Sequence, residues 1–327
     1  MKSPKSRVRI PPKHWLYTYA AKLWISPRLK PLHPPFQRRH IAEPTKVMVP
    51  TRHGRVRCFI YRPHPDAPLA TGGVTPPVHI NIHGGGFIFT NPRADDHIVN
   101  YIAAEVGAVI VSIDYSTAPN VLYPVAEEQC FDVLRWVAGT GATEHGWDRS
   151  RISIGGGSAG GKLALNVLQL THWNHGPSVR AAALLAPFVD ATLAPDSYVS
   201  DLDKAIIAPD AMKLILGAYF VDTARRTEPL ASPALDPDLK SALPPTLILT
   251  GEYDTVKTQA AALAAQLIAA GATVTHRDIE KSDHDWMVNP ETPVEVLHKS
   301  MDLIAEHLRT HLTAKSATET SAARAED

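Results

Sequence analysis

The sequence predicts an α/β fold in which a parallel sheet is covered on both faces by helices. Short apolar runs, many of them β-branched, alternate with segments of helical periodicity, and glycine-rich stretches follow two of these runs. Right-handed crossovers bring the carboxyl ends of parallel strands to one edge of the sheet. We therefore expect any functional site to lie along that edge.

The predicted elements occupy the middle and the end of the chain. The strands are Val78–His83, Ala108–Tyr115, Arg151–Ile154, Val179–Val189, Thr246–Thr250 and Val274–Ile279. The helices are Ile98–Val106, Ala126–Val137, Lys162–Trp173, one near Met212–Phe220, Thr258–Ala270, and one marked by Leu297, Met301, Ile304 and Leu308. Residues 190–240 are rich in Pro and Asp and break the alternation, so we expect an insertion that covers the sheet edge.

Composition excludes several classes of protein. The chain has 327 residues, 44% of them hydrophobic, and its 33 Lys and Arg balance 33 Asp and Glu. A neutral chain of this kind is predicted to form a large core and not to bind nucleic acid as a polyelectrolyte. Its two cysteines, Cys58 and Cys130, allow neither a disulfide scaffold nor a four-cysteine zinc site. Neither a signal peptide nor an 18-residue apolar run is recognisable, which predicts a cytoplasmic protein.

The N-terminal segment is strongly basic, because residues 1–40 contain ten Lys or Arg and no acidic residue. Within it, Leu16, Tyr19 and Leu23 follow helical spacing. Residues 14–25 could contact an anionic membrane surface, which would make the protein membrane-associated. The alternative, which we favour, is that this helix packs against the rest of the protein.

The first motif with chemical meaning is Gly156-Gly157-Ser158-Ala159-Gly160, between a predicted strand and a predicted helix. This is the context of a nucleophile elbow, whose tight turn requires small neighbours and exposes the serine hydroxyl. The same stretch also matches a dinucleotide fingerprint, Gly155-x-Gly157-x-x-Gly160. The next strand-end acid, Asp190, lies 30 residues beyond Gly160, farther than the roughly 20 expected for a ribose-binding acid.

A second motif favours the elbow. His83-Gly84-Gly85-Gly86 ends the first predicted strand, and an HGGG loop in this position supplies backbone N–H groups to an oxyanion. Glycine lets the main chain approach a substrate carbonyl without a Cβ in the way. A dinucleotide-binding enzyme has no use for this loop.

Candidates for the acid and the base follow later strands, in the order Ser, acid, His that such hydrolases use. The base candidate is His284 and the acid candidate is Asp254. Rival acids are Glu252, Asp278, Asp283 and Asp285, of which the last two are too close in sequence to face the His284 ring. No metal site is predicted, since His307 and His311 lack the glutamate of the zinc-protease motif.

These motifs, together with Asp114-Tyr115-Ser-Thr-Ala118-Pro119 and Tyr123-Pro124, resemble the hormone-sensitive-lipase-like esterases of the α/β-hydrolase fold. The resemblance covers roughly residues 75–310. It implies a mostly parallel eight-stranded sheet flanked by helices, with a helical cap, and hydrolysis of carboxylic esters without a cofactor. It further implies that Ser158 is the nucleophile, His284 the base and Asp254 the acid. The implied oxyanion donors are the N–H groups of Gly85, Gly86 and Ala159.

The domain organisation expected from this resemblance has four parts. Residues 1–45 form a basic helical segment that contributes to the cap, and residues 191–224 form the cap insertion. Residues 46–190 and 225–312 form the hydrolase core, and residues 313–327 form a disordered tail. The chain departs from the family at Gly157, usually Asp or Glu, at Lys162, usually Asn, at Thr255-Val256, usually Pro-Leu, and at Asp285, usually Gly. These departures bear on substrate range and rate.

The sequence thus predicts a serine hydrolase of carboxylic esters, acting on a small-molecule substrate. Tyr198, Met212, Tyr219 and Phe220 are large residues of the expected cap, and they favour short to medium acyl chains if they line the pocket. Hydrolysis of an amide or a lactone is one alternative. A small-molecule-binding protein with a vestigial site is another, although the presence of His284 favours an enzyme. A homodimer is a possible assembly.

Overall fold

An eight-stranded sheet forms the centre of the computed structural model, which describes residues 10–26, 36–203 and 205–313. The strands are β1 (Thr45–Thr51), β2 (Gly54–Tyr61), β3 (Val78–Ile82), β4 (Val109–Asp114), β5 (Ile152–Gly157), β6 (Ala181–Leu185), β7 (Thr246–Gly251) and β8 (Val274–Ile279). Their order is β1-β2-β4-β3-β5-β6-β7-β8, and every pairing from β4 to β8 is parallel. The α/β-hydrolase fold with a mostly parallel eight-stranded sheet is confirmed.

The first two strands form an antiparallel hairpin that the apolar patterning did not identify. β1 pairs with β2, and β2 pairs antiparallel with β4. Most of β1 is exposed because it is the edge strand, so its sequence, TKVMVPT, lacks an apolar run. Gly54 closes the turn with a φ of +97°, a conformation that glycine adopts without strain.

The helices cover both faces of the sheet. They are α1 (Pro12–Ile25), α2 (Asp96–Tyr101), α3 (Val125–Ala138), α4 (Thr140–His145), α5 (Ala159–Trp173), α6 (Pro209–Ala218), α7 (Leu239–Ala242), α8 (Lys257–Ala269) and α9 (Val294–Leu312). α2 continues as one turn of π-helix, Ile102–Val106. On one face α5 packs against α3, and on the other α9 packs against that π-helical turn.

The predicted elements exist, with shifted ends. β5 runs on to Gly157, and β6 is shorter than the predicted Val179–Val189. α6 begins at Pro209, three residues before the predicted Met212, because proline suits the first turn of a helix. It ends at Ala218, before Tyr219 and Phe220. The expected limits of the core and the cap stay predictions. The expected tail lies outside the described residues from position 314 onward.

α1 packs against the rest of the protein, the alternative that we favoured, but it does not do so through its regularly spaced apolar residues. Leu16 is 62% exposed and Leu23 is 58% exposed, and Tyr19 also faces solvent, stacked on Trp15. The helix instead contacts the protein through a narrow polar strip, in which Thr18 is buried and Lys22 Nζ donates to Thr117 Oγ1 at 2.5 Å. α1 also contacts α6. Across the described ranges, no helix is both long and apolar enough to cross a bilayer.

Candidate active site

Ser158 occupies a tight turn between β5 and α5. Its φ is +54°, a strained conformation for a residue with a side chain. A Cβ at Gly156 would lie 2.2 Å from the carbonyl oxygen of Ile82, and a Cβ at Gly160 would lie 1.9 Å from the same oxygen. These two glycines are therefore required by the approach of β3. Two glycines of the dinucleotide fingerprint, Gly155 and Gly160, pack against protein backbone, since a Cβ at Gly155 would lie 2.6 Å from the Ala183 carbonyl oxygen. These glycines therefore serve the packing of the strands, which argues against the dinucleotide interpretation.

A chain of hydrogen bonds joins Ser158, His284 and Asp254. His284 Nε2 lies 2.8 Å from Ser158 Oγ, and His284 Nδ1 lies 2.9 Å from Asp254 Oδ2. Asp254 is buried and also accepts a hydrogen bond from the N–H of Val256 at 2.9 Å. With its second oxygen held in this way, the carboxylate can orient the imidazole that contacts the serine.

The four rival carboxylates make their contacts elsewhere. Glu252 accepts a hydrogen bond from the N–H of Lys281, and Asp285 accepts one from Asn289. Asp278 contacts Thr250 and Lys257. Asp283 accepts hydrogen bonds from the backbone N–H groups of His284 and Ile206. The structure thus brings one of the five candidate acids, Asp254, to the imidazole ring. Asp283 does a different task, because it ties the loop of His284 to the segment that precedes α6.

The environment of His284 has opposing effects on its pKa. Burial by itself lowers the pKa, because it disfavours the charged imidazolium. The negative charge of Asp254 and the hydrogen bond to it, with Asp283 and Asp285 nearby, outweigh burial, so the pKa of His284 is raised above its ordinary value. A raised basicity suits a group that must take a proton from a serine hydroxyl.

The HGGG loop passes directly beside the elbow. A Cβ at Gly84 would lie 3.1 Å from the carbonyl oxygen of Gly157 and 3.7 Å from Ser158 Cβ. Gly85 and Gly86 turn the loop with φ values of +113° and +57°. The loop is fixed from below, because the His83 ring stacks on Tyr115, whose hydroxyl donates to the His83 carbonyl at 3.0 Å.

The third predicted oxyanion donor is the N–H of Ala159, which opens α5. The first N–H groups of a helix have no intrahelical acceptor, and the helix dipole adds positive potential there. The predicted donors thus come from two chain segments, the HGGG loop and the start of α5, that meet at Ser158. This arrangement can stabilise negative charge on an oxygen bound beside Ser158.

Lys162, one turn beyond Ser158, is fully buried. Its ammonium forms an ion pair with the buried Glu127 of α3 and lies 5.0–5.5 Å from the ring centroids of Phe87, Tyr123 and Phe220. The other Glu127 oxygen accepts a hydrogen bond from Tyr219 at 2.5 Å. Lys162 therefore links the nucleophile helix to α3 and to the residues that follow α6.

A cavity of about 460 Å³ opens over Ser158, a size typical of a small-molecule site. It is mostly apolar, and α6 with the segment before it contributes Ile206, Ile207, Ala211, Leu214 and Ile215 to its wall. The expectation that Tyr198, Met212, Tyr219 and Phe220 shorten this pocket is wrong, because all four are buried away from its wall. Tyr219 and Phe220 pack around the Lys162–Glu127 pair instead, a partner that the sequence did not reveal.

Three polar residues in the pocket wall were missed by sequence reasoning about the site. His79 and Asn81 lie on β3, and Asp95 ends the short helical turn Pro92–Asp95. A signal existed, since β3 reads Val-His-Ile-Asn-Ile and is buried throughout. Polar residues at alternate positions of a buried strand share one face and require partners.

The comparisons with known proteins agree with this geometry. A family model described as alpha/beta hydrolase fold matches residues 79–288. A carboxylesterase of Mycobacterium tuberculosis, NlhH, is 33% identical over 201 residues, which are 61% of this chain and 62% of that protein. An ethyl acetate hydrolase of Pseudomonas putida is 26% identical over 254 residues, covering 77% of this chain and 78% of that one.

Solved structures show the same architecture. A thermostable esterase from Pseudomonas putida superimposes with a TM-score of 0.80 and 26% identity, covering 93% of each chain. The thermostable carboxylesterase EstE1, from a metagenomic library, gives a TM-score of 0.79 at 26% identity and covers 91% of this chain and 98% of that one.

Proposed function

This chain belongs to the hormone-sensitive-lipase-like family of α/β hydrolases, and on that premise we propose that it is a serine hydrolase of carboxylic esters. The observation that carries the proposal is the hydrogen-bonded series from Ser158 Oγ through His284 to Asp254, at 2.8 and 2.9 Å. The relatives named carboxylesterase and ethyl acetate hydrolase support the same reaction class.

In this mechanism the first half-reaction acylates the serine. Ser158 Oγ attacks the ester carbonyl carbon and gives its proton to His284 Nε2. The oxyanion that forms is stabilised by the N–H groups of Gly85, Gly86 and Ala159. When the tetrahedral intermediate collapses, the C–O bond to the alcohol breaks and the alcohol oxygen takes the proton from His284.

The second half-reaction regenerates the enzyme. Water attacks the acyl carbon and gives its proton to His284, and collapse releases the carboxylic acid and returns a proton to Ser158 Oγ. Asp254 stays ionised and keeps Nδ1 of His284 protonated, so that Nε2 is free to accept. The raised pKa makes His284 a stronger base, and His284 can accept a proton as long as the pH exceeds that pKa.

The test is hydrolysis of p-nitrophenyl esters over a range of acyl lengths, with wild type beside Ser158→Ala and His284→Ala. We expect wild-type turnover and a fall in kcat of about 10⁶-fold in either variant, as for a triad that acts as a unit. Near-normal turnover in either variant would overturn the role of that residue.

Labelling of wild type by a fluorophosphonate separates the remaining alternatives. An amide or lactone hydrolase would be labelled at Ser158 without cleaving the esters. A vestigial binding protein would be neither labelled nor active, and would bind a ligand saturably without turnover.

Membrane contact through residues 14–25 is a further part of the proposal. Two observations support membrane contact. Large apolar side chains of α1 face solvent, among them Trp15, Leu16 and Trp24. Ile25 of the same helix lines the cavity. Docking of α1 on a bilayer would therefore bring the pocket mouth to the lipid surface. The basic composition of residues 1–40 would favour anionic lipid.

Sedimentation with anionic and neutral vesicles tests this contact. We expect binding to anionic vesicles that is lost in Trp15→Ser/Leu16→Ser and kept in Trp173→Ser, which removes an exposed tryptophan from α5 instead. Equal loss in both variants would overturn the assignment to α1. The cytoplasmic location and the homodimer stay predictions, and analytical ultracentrifugation tests the latter.

A further inference from the structure

The cavity extends from Ser158 along one face of the sheet. β3 and β5 pair so that His79 lies beside Ser153 and Asn81 beside Gly155, and β5 and β6 pair so that Gly155 lies beside Ala183. Side chains at alternate positions share a face, so these residues lie on the same side of the sheet as Gly157. A Cβ at Gly155 would lie 3.1 Å from the His79 ring, so this glycine makes room for the imidazole. The cavity continues along this face past Gly157 and Ala183, which line it.

The far end of this space is polar. His79 is 2% exposed and Asn81 is 4% exposed, and both line the cavity with Asp95. Asn81 Nδ2 donates to Asp95 Oδ2 at 3.1 Å, and Ser153 Oγ lies 2.9 Å from His79 Nδ1. Gly155 lies three residues before Ser158, so at about 3.3 Å per residue this end is about 10 Å from the serine.

This polar end has spare hydrogen-bonding capacity. Among the described residues, none forms a hydrogen bond with His79 Nε2, Asn81 Oδ1 or Asp95 Oδ1, and Asp95 forms no ion pair with any of them. The neighbouring Arg93 pairs with Asp96 and Glu43. Because these atoms face the cavity, a polar group of a bound ligand can complete their hydrogen bonds.

The charge state of these groups limits the kind of ligand. Burial lowers the pKa of His79 to about 3, so the imidazole is neutral. Burial raises the pKa of Asp95 to about 7, against the effect of the hydrogen bond from Asn81, so the carboxyl is readily protonated. Below about pH 7 this site is neutral, and it then favours a neutral group, because a charged ligand would lose its hydration without gaining a fixed partner charge.

Sheet topology indicates which part of the ester enters this channel. His284 must protonate the leaving alcohol, and it follows β8, on the β7 side of β5. β3 lies on the opposite side of β5, so His79 and Asn81 lie away from the position of the alcohol. The acyl chain is therefore the part that extends toward them.

We propose that His79, Asn81 and Asp95 form a subsite that binds a hydroxyl group at the far end of the substrate's acyl chain. The preferred substrates are then esters of medium-length hydroxy acids. This proposal rests on the proposed esterase function, and it adds a specificity that the triad and the oxyanion loop do not determine.

The experiment compares p-nitrophenyl esters of ω-hydroxy acids with unsubstituted esters that have the same number of chain atoms. An apolar pocket would prefer the unsubstituted member at every length. We expect wild type to prefer the hydroxy member by about tenfold in kcat/KM at one medium length, the contribution of one or two satisfied hydrogen bonds. A preference for the unsubstituted member throughout would overturn the subsite.

Variants assign the preference to these residues. Asp95→Leu and Asn81→Leu should reverse it while the unsubstituted ester is still hydrolysed, and Asp95→Asn should retain part of it because an amide still bonds to a hydroxyl. Asp236→Asn is the matched control, a buried aspartate bonded to Gln169 outside the cavity, and it should leave the ratio unchanged. A ratio unaffected by Asp95→Leu and Asn81→Leu would also overturn the subsite.

Two further arms locate the specificity. A hydroxyl placed on the alcohol part should bring no advantage, and an advantage found only there would contradict the acyl assignment. An ω-amino ester that outperforms the hydroxy ester would contradict the neutral character of the subsite. Turnover of plain esters without any hydroxyl preference overturns the subsite alone, whereas no turnover of any ester overturns the proposed function as well.

Discussion

Two buried polar clusters lie on opposite faces of the sheet beside the elbow, and they differ in how completely they are paired. On the α5 face, the Lys162 ammonium, the Glu127 carboxylate and the Tyr219 hydroxyl satisfy one another inside a set of aromatic rings. On the cavity face, Asn81 bonds to Asp95 and His79 bonds to Ser153, and each of the three residues keeps an atom that forms no hydrogen bond with a described residue.

The difference separates a structural role from a binding role. A fully paired buried ion pair fixes the elements that carry it, in this case the nucleophile helix, α3 and the residues after α6. A partly paired cluster in a cavity wall costs stability in the empty protein and can recover it when a ligand binds. Lys162→Met and Asp95→Asn test this comparison directly. Asp254→Asn, in the triad, and Gly157→Ala, in the elbow, set the largest and the smallest effects expected around it.

Asp254→Asn should have the largest effect. The amide leaves the geometry near Nδ1 but favours the wrong tautomer of His284, so kcat should fall about 10⁴-fold. Only neutral His284 acts as a base, so activity is lost as the pH falls through its raised pKa. Without the Asp254 charge that pKa drops, and the acidic limb of kcat/KM should move to lower pH. A pH–rate profile of the residual activity checks this, and an unmoved limb would contradict it.

Lys162→Met tests the paired cluster. It leaves the Glu127 carboxyl buried without its cation, so the free energy of unfolding should fall by about 3–5 kcal/mol in urea titrations. The double variant Lys162→Met/Glu127→Gln removes both charges and should recover much of the loss. A single variant within about 1 kcal/mol of wild type would show that the pair is not what stabilises this region.

Asp95→Asn tests the partly paired cluster, and its effect should depend on pH. The pKa of Asp95 is about 7 in the fold against an ordinary 3.8, so from about pH 4 upward the unfolded chain ionises this group while the folded chain resists. Stability is therefore lost as the pH rises from about 4 to about 7. The variant should gain on wild type over that range, by at most about 4 kcal/mol because the carboxyl is partly accessible from the cavity. A pH-independent difference in melting temperature would contradict this.

Gly157→Ala should have the smallest effect on stability. A Cβ there would meet its nearest atoms, in Leu185, at 3.9 Å, and the backbone is not left-handed, so the fold can accept it. We expect a change in unfolding free energy within about 1 kcal/mol. Gly160→Ala is the contrasting control, because its Cβ would lie 1.9 Å from the Ile82 oxygen, and it should not fold stably. Equal stability of the two variants would contradict the packing described for the elbow.

Local sequence was sufficient for the elements whose physical requirements are local. The glycines at 156 and 160 mark a turn that only glycine permits, and the HGGG loop and the order Ser158, Asp254, His284 place the remaining groups at strand ends. The six strands predicted from apolar runs all exist, while β1 and β2 were missed. β1 is an exposed edge strand without such a run, whereas β2 ends in a buried apolar run, Cys58 to Tyr61, that the patterning could have shown.

Tertiary structure alone decided which side chains meet across the fold. Asp254 contacts the His284 ring, whereas Asp283, the residue before His284, bonds to the segment before α6. Lys162 pairs with Glu127, which lies 35 residues away in the sequence. The same applies to α1, whose spacing predicted a helix but not that Leu16 and Leu23 would face solvent. Backbone conformation and binary patterning follow from neighbouring residues, whereas the partner of a buried charge and the shape of a cavity depend on the register of strands and helices that are distant in the chain.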